Sequence, residues 1–188
     1  MHLTLEQKKE TCLALLRSTK RPNIENLITH ITKMGYFEAP GSEKHHRFKG
    51  GLLSHSLETY DEAMLLREKK IAEGFSLESM PIESVIIAAL MHDLCKADVL
   101  RFNHRVVDVI RHSKGHSARS IRQIGYSGFR LTTDEKVAIL WHMGGKRLLE
   151  DEQEREEFFR THPLCDIILK ADRESIRKSK IRHHGKRQ

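Results

Sequence analysis

The chain has 188 residues, of which 38% are hydrophobic and 31% charged, a length and composition typical of one globular domain. No apolar stretch approaches the roughly 20 residues that cross a bilayer, and no basic-then-apolar signal pattern opens the sequence, so we expect a cytoplasmic protein without a membrane partner. The three cysteines are widely spaced and form no CxxC pair, which excludes a disulfide framework and a zinc-ribbon pattern.

The net charge of +7 is concentrated at the end of the chain. Residues 173–188 contain seven lysines and arginines against one acid, Glu174, so the preceding residues are close to neutral. We predict a flexible basic tail over residues 177–188. Such a tail could hold an anionic partner such as an RNA or DNA end, and a solvated, frayed terminus is the alternative.

The first half of the chain has a helical period. Thr4 and Gln7 match a capping box, which predicts a helix from Leu5 to about Ser18. A second helix is predicted after Pro22-Asn23 and ends at Gly35, and residues 36–50 read as a loop. A long helix then runs from Gly51 to about Glu73, because Gly74 is a natural stop.

The second half continues this pattern. A helix is predicted from Ile82 to about Cys95, and its centre is apolar on nearly all sides, as in helices that are central and buried. Thr132-x-x-Glu135 is another capping box, and a last helix covers about residues 163–178. We therefore predict an all-α, single-domain helical bundle over residues 1–176, with N-terminal helices in 1–35 and a core over about 36–175.

His92 and Asp93 stand side by side at the end of the predicted buried helix. A buried, unpaired carboxylate costs several kcal/mol, and coordination of a metal ion offsets that cost. A hydrogen-bonded helix end is the alternative explanation for the dipeptide alone.

Other ligand-type residues occur on apolar helical stretches. His55 lies among leucines and Asp172 follows Ile168-Leu169-Lys170-Ala171, while His116 begins a predicted helix and His142 ends one. Two imidazoles and two carboxylates suit a divalent transition metal such as Mn, Fe, Co, Ni or Zn. For any one of these histidines, a hydrogen-bonded core histidine is the alternative.

These motifs together resemble the HD-domain superfamily of metal-dependent phosphohydrolases. The similar segments are Gly-Gly-Leu-Leu-Ser-His-Ser-Leu at 50–57, Ala-Ala-Leu-Met-His-Asp-Leu-Cys-Lys at 88–96 and Ile-Leu-Lys-Ala-Asp-Arg-Glu-Ser at 168–175. The segment 45–51 is also similar to the HD module of bacterial 3′→5′ exoribonucleases. The resemblance spans about residues 36–175.

The resemblance implies a ligand set and its chemistry. His55, His92, Asp93 and Asp172 would bind one ion, and His116 and His142 would bind a second ion with Asp93 bridging the two. Many members with two metals have paired histidines where this chain has His142-Met143, so one ion and two ions both stay open. The metal would activate water for attack on phosphorus, which makes Asp93 a catalytic residue.

Several basic residues are candidate substrate contacts. Lys96 lies one turn past the His-Asp pair and could neutralise a phosphate as a second catalytic group, or it could serve only the helix C-terminus. His46, Arg47 and Lys49 in the preceding loop and Arg119 near His116 are further candidates, with ordinary surface positions as the alternative.

We therefore expect an enzyme, a divalent-metal-dependent phosphohydrolase of the phosphomonoesterase or phosphodiesterase type. Its substrate would be a phosphorylated small molecule, a nucleotide or a nucleic-acid end. The alternative is an HD-like module that binds a nucleotide or RNA without turnover.

Overall fold

The computed structural model describes residues 3–42, 45–99, 115–144 and 151–184, and these residues form helices without a β-strand. This confirms the prediction of an all-α, single-domain bundle. The helices are α1 (Leu5–Ser18), α2 (Ile24–Lys33), α3 (Gly51–Ala72), α4 (Ile82–Met91), α5 (Lys96–Val99), α6 (His116–Tyr126), α7 (Thr133–Trp141), α8 (Glu152–Thr161) and α9 (Pro163–His184), with a 3₁₀ turn at Leu77–Ser79.

Helix α4 lies at the centre of the bundle. It packs against α3, α7, α9 and α1, and every residue from Ser84 to Met91 is buried. The two longest helices, α3 and α9, pack along one another, and α7 closes the bundle against α9, α4 and α6. The apolar sequence of α4 is therefore explained by neighbours on all sides.

The N-terminal helices belong to the same hydrophobic core. The capping box at Thr4 and Gln7 forms as predicted, and α1 packs against α2, α3 and α4. Leu16 on α1 and Leu27 and Ile31 on α2 are fully buried. The three cysteines are buried free thiols, as the absence of a pairing pattern predicts.

Two helix ends differ from the sequence prediction. Helix α4 ends at Met91 rather than near Cys95, because the chain turns at His92 and closes new turns through Leu94 N–H to Met91 C=O and Lys96 N–H to Asp93 C=O. His92 keeps helical backbone angles and its N–H still donates to Ala88 C=O, so His92 and Asp93 lie directly at the end of α4.

Helix α9 continues to His184, past the predicted end near residue 178. Ser179 is buried, and Lys178 forms an ion pair with Glu62 on α3. The segment 177–184, expected as part of a flexible tail, is thus helical, and residues 185–188 lie outside the described part of the chain.

A glycine pair joins the loop of residues 36–50 to helix α3. Gly50 has φ +77°, and a Cβ on Gly51 would lie 1.8 Å from the His46 carbonyl oxygen. Gly41 N–H donates to that same oxygen at 2.9 Å, and Leu52 N–H donates to Ala39 C=O at 2.9 Å. Only glycine permits this close approach, which brings His46 against the first turns of α3.

Among the described helices, none combines the length and the apolar composition that crossing a membrane requires.

Candidate metal centre

The ends of several helices meet at one buried cluster of histidines and aspartates. His55 lies in the second turn of α3, and Asp172 lies in the middle of α9. The other members occupy helix ends: His92 and Asp93 follow α4, His116 begins α6 and His142 follows α7. The structure brings together all six predicted ligand residues, and every one is buried except the partly buried His116.

Four of these side chains form what we call the first ligand group: His55, His92, Asp172 and the Oδ2 atom of Asp93. The Nε2 atom of His55 lies 3.0 Å from Asp172 Oδ1, 3.2 Å from His92 Nε2 and 3.5 Å from Asp93 Oδ2. His92 Nε2 lies 3.3 Å from Asp93 Oδ2 and 3.8 Å from Asp172 Oδ1.

The second ligand group consists of His116, His142 and the other carboxylate oxygen of Asp93. The Nε2 atoms of the two histidines are 3.3 Å apart, and they lie 3.7 Å and 3.6 Å from Asp93 Oδ1. Asp93 is therefore common to both groups and presents one oxygen to each.

The histidines turn the same nitrogen toward the cluster. The Nδ1–H of His92 donates to Ala89 C=O at 2.8 Å, and that of His142 donates to Ile139 C=O at 2.6 Å. A carbonyl oxygen only accepts, so each Nε2 is left without a proton in the neutral ring. Such backing hydrogen bonds are typical of metal-ligating histidines.

The spacing of the ligand atoms fits bound cations. Two donor atoms that share an ion at about 2.1 Å lie roughly 3.0–3.5 Å apart for bond angles between about 90° and 110°. The distances in both groups are close to this spacing. Asp93 Oδ1 is also fully buried and has no hydrogen-bond partner among the described residues, an arrangement that a cation would satisfy.

The two carboxylates are held in their ionised form. Burial alone would raise the pKa of both, but neighbouring charges outweigh it. Lys96 and His92 hold the pKa of Asp93 well below its ordinary value. The hydrogen bond from His55 and the charge of His92 lower the pKa of Asp172 to about 2.

The histidines differ from one another in basicity. Burial opposes protonation in each case. In the protonated ring, however, Nε2 can donate to a carboxylate, and this contact with Asp172 and Asp93 raises the pKa of His55, while contact with Asp93 raises that of His142. Burial prevails at His92, and its pKa is lowered. A cation bound at these Nε2 atoms would therefore compete with protons.

Lys96 supplies the nearest fixed positive charge. Its ammonium group forms an ion pair with Asp93 Oδ2, and its side chain is 12% exposed. Asp93 raises the pKa of Lys96 despite the opposing effect of burial. Lys96 begins α5, five residues after the end of α4, so it does not lie in the last turn of α4.

The candidate substrate contacts are dispersed. His46 is 1% exposed, and its Nε2 bonds to Glu58 Oε2 at 3.1 Å, so this ring faces protein rather than solvent. Arg47 and Lys49 are exposed, and Arg119 is partly buried on α6, one turn after His116.

Three further residues lie around the cluster and were not predicted from the sequence: His45, Glu58 and Ser175. The ring of His45 lies 5.4 Å from that of His55, between centroids, and burial together with nearby positive groups lowers its pKa to about 3. Ser175 bonds to His55, and Glu58 accepts from Ser175. Glu58 and Ser175 lie three residues after His55 and Asp172, and this one-turn spacing is a signal that could have found them.

A separate cleft of about 490 Å³ lies between α3, α8 and α9. Phe75, Phe159 and Leu169 provide its apolar surface. Its basic side chains outnumber its acidic ones and are Lys70, Arg155, Arg160, Lys170 and Arg173, against Glu156 and Asp166.

Searches against family models, curated proteins and solved structures returned no match for this chain.

Proposed function

We propose that this protein is a divalent-metal-dependent phosphohydrolase of the HD-domain type, acting on a nucleotide or a nucleic-acid end. The observation that supports it most is the arrangement around Asp93. This one buried carboxylate presents an oxygen to each of two ligand groups, and the motif order His55, His92-Asp93, Asp172 resembles that superfamily.

A bound divalent ion would act as a Lewis acid on a phosphoryl oxygen and lower the pKa of a coordinated water. Mn, Fe, Co, Ni and Zn suit this mixture of imidazole and carboxylate donors. His55, His92, Asp93 and Asp172 would hold one ion, and His116 and His142 with Asp93 would hold a second.

The ligand residues also have roles of their own. Asp93 would reduce the repulsion between two bound cations, because its ionised carboxylate presents one oxygen to each ligand group. His92 and His142 are each fixed by a backbone carbonyl, so their Nε2 atoms are positioned before any ligand arrives. Positioning of this kind avoids reorganisation during the reaction.

We assign Lys96 the role of binding the phosphate group of the substrate. Its ammonium group forms an ion pair with Asp93. Cations in the two ligand groups would take over the neutralisation of Asp93, and Lys96 would then be available to a phosphate oxygen as a compact positive charge. Lys96 would thus have an ion-pair partner both with and without bound metal.

The test is reconstitution of the purified protein with Mn, Fe, Co, Ni or Zn, followed by assays on a phosphomonoester, a phosphodiester, mononucleotides and short oligonucleotides. We expect bound metal and metal-dependent release of phosphate or nucleotide from at least one substrate class. Bound metal without hydrolysis of any of these esters would contradict the enzymatic assignment.

Binding without turnover is the second candidate, and the cleft between α3, α8 and α9 favours it. Basic side chains beside aromatic rings suit a nucleotide or RNA. Asp166, Glu152 and Glu157 pair with four of the five basic side chains, so a phosphate would compete with these acids. Fluorescent mononucleotides and oligonucleotides should then bind the metal-free protein with an affinity that falls as salt rises. The double variant Lys170→Ala, Arg173→Ala tests the cleft. If this variant binds these ligands as tightly as the wild type, the cleft is not their binding site.

A further inference from the structure

Among the three buried histidines of the ligand groups, His55 has a hydrogen-bond partner of a different kind. His92 and His142 donate from Nδ1 to carbonyl oxygens, whereas His55 Nδ1 faces the hydroxyl of Ser175 at 3.0 Å. A carbonyl can only accept a hydrogen bond, but a hydroxyl can either accept or donate one. Ser175 alone would therefore permit His55 to carry its proton on Nδ1 or on Nε2.

A carboxylate next to Ser175 removes this ambiguity. The Ser175 hydroxyl donates to Glu58 Oε2 at 3.2 Å. A hydroxyl has one proton, so Ser175 must accept from His55, and His55 must carry its own proton on Nδ1. The Nε2 atom of the neutral ring is then the free nitrogen, and it is the atom that faces Asp172 and His92.

We propose that Glu58 is a positioning residue of the metal centre, which acts through the Ser175 hydroxyl to fix the ring orientation of His55 and to turn its Nε2 atom toward the first ligand group. The inference rests on the proposed metal centre and deepens it. Glu58 lies on α3 and Ser175 on α9, so the relay also joins the two longest helices behind the site.

A second donor holds Glu58 in place. The Nε2 of His46 lies 3.1 Å from the same Oε2 atom that accepts from Ser175. His46 is fully enclosed and has φ +51°, a backbone conformation that residues other than glycine rarely adopt. Its carbonyl oxygen packs against Gly51. The loop before α3 is thus shaped to bring one imidazole onto Glu58, and strain of this kind is typical of functional regions.

The experiment compares Glu58→Ala, Ser175→Ala and the double variant with a matched control, Glu62→Ala. Glu62 lies one turn further along α3 and likewise contacts α9, but its partner is Lys178. Zinc affinity is measured by chelator competition. We expect E58A and S175A each to bind zinc about 10- to 100-fold more weakly, with E62A unchanged.

The double variant decides whether Glu58 acts through Ser175. In a relay, removing both groups weakens zinc binding no more than removing the more important one. Losses that multiply in the double variant, or an E58A protein with the affinity of the wild type, would overturn the proposal. Thermal unfolding of each variant verifies that it is folded.

Histidine ¹⁵N NMR on the metal-free wild type tests the relay independently of metal binding. At a pH where His55 is neutral, we expect its proton on Nδ1, and a proton on Nε2 would overturn the proposal even if E58A fails to fold. A wild-type protein that binds no divalent metal would contradict the proposed function instead. Normal metal binding that E58A leaves unchanged would contradict the relay alone.

Discussion

Asp93 is the residue on which both ligand groups depend. It is buried and ionised, and its two oxygens face separate histidine pairs. A neutral amide of the same shape keeps one oxygen and replaces the other with an N–H donor group, which repels a cation. Such a substitution should therefore weaken metal binding more than the loss of an ordinary buried ion pair does.

We predict that Asp93→Asn abolishes binding at the second ligand group and lowers kcat by at least about two orders of magnitude. Asp166→Asn is the matched control, because Asp166 is also buried and pairs with Lys70 at 2.9 Å and Lys170 at 2.8 Å. D166N should be less stable but retain its metal. Elemental analysis measures the metal content of the two variants, and the phosphatase assay measures their kcat. Equal metal content in D93N and D166N would refute the role of Asp93 as a metal ligand.

Metal affinity should depend on pH through His55 and His142. The pKa of each is raised above the usual 6.5, and a protonated imidazole cannot bind a cation. As pH falls through these raised values, each histidine takes up a proton that the metal must displace, so log K should fall by up to about two per pH unit. His92 adds nothing near neutrality because its pKa is lowered. Zinc competition titrations over a pH series measure this slope, and a flat profile would contradict it.

At the scale of elements, the approach of the loop to α3 depends on Gly51. A Cβ there would overlap the His46 carbonyl, so Gly51→Ala must displace backbone and should reduce the free energy of unfolding by about 2–3 kcal/mol. Zinc affinity should fall as well, since His46 holds Glu58.

Gly125→Ala in α6 is the control, and we expect it to increase the free energy of unfolding rather than reduce it. A Cβ at Gly125 has nothing within 4 Å, and alanine is the better helix former by up to about 1 kcal/mol. Urea unfolding compares the two variants. A G51A protein as stable as G125A would show that the loop does not need this close contact.

The elements also show what could be predicted from sequence. Capping boxes and glycine stops located α1, α2, α3 and α7 closely, because these signals are local. The end of α4 was misplaced, since Leu94 and Cys95 continue an apolar pattern although the backbone turns at His92. The extension of α9 depends on contacts such as Lys178 with Glu62, which are distant in sequence.

The residues of the candidate site likewise differ in whether they could be predicted from sequence. His55, the His92-Asp93 pair and Asp172 could be predicted because each interrupts an apolar helical stretch with a ligand-type side chain. Glu58 and Ser175 could not be assigned roles, because the two residues are 117 positions apart in sequence and meet only when α3 packs against α9. His46 was expected as a substrate contact, but its burial follows from the Gly41 and Gly51 contacts.

For the whole molecule, the two ligand groups join α3, α4, α6, α7 and α9. Metal bound by residues so distant in sequence binds only the folded chain, so it should raise the thermal unfolding temperature. The gain is about 2.7 kcal/mol when free metal is 100 times the dissociation constant. Calorimetry should show the full shift in wild type and D166N and a smaller shift in D93N, which loses the second ligand group. A shift in D93N as large as that of the wild type would locate the metal elsewhere.

The central claim is tested most directly by anomalous diffraction from crystals soaked in Mn or Zn. We predict one peak among His55, His92, Asp93 and Asp172, and a second beside His116 and His142, about 3.5–4 Å from the first, with Asp93 between them. A fully loaded crystal without a peak at the His55 group would contradict the account.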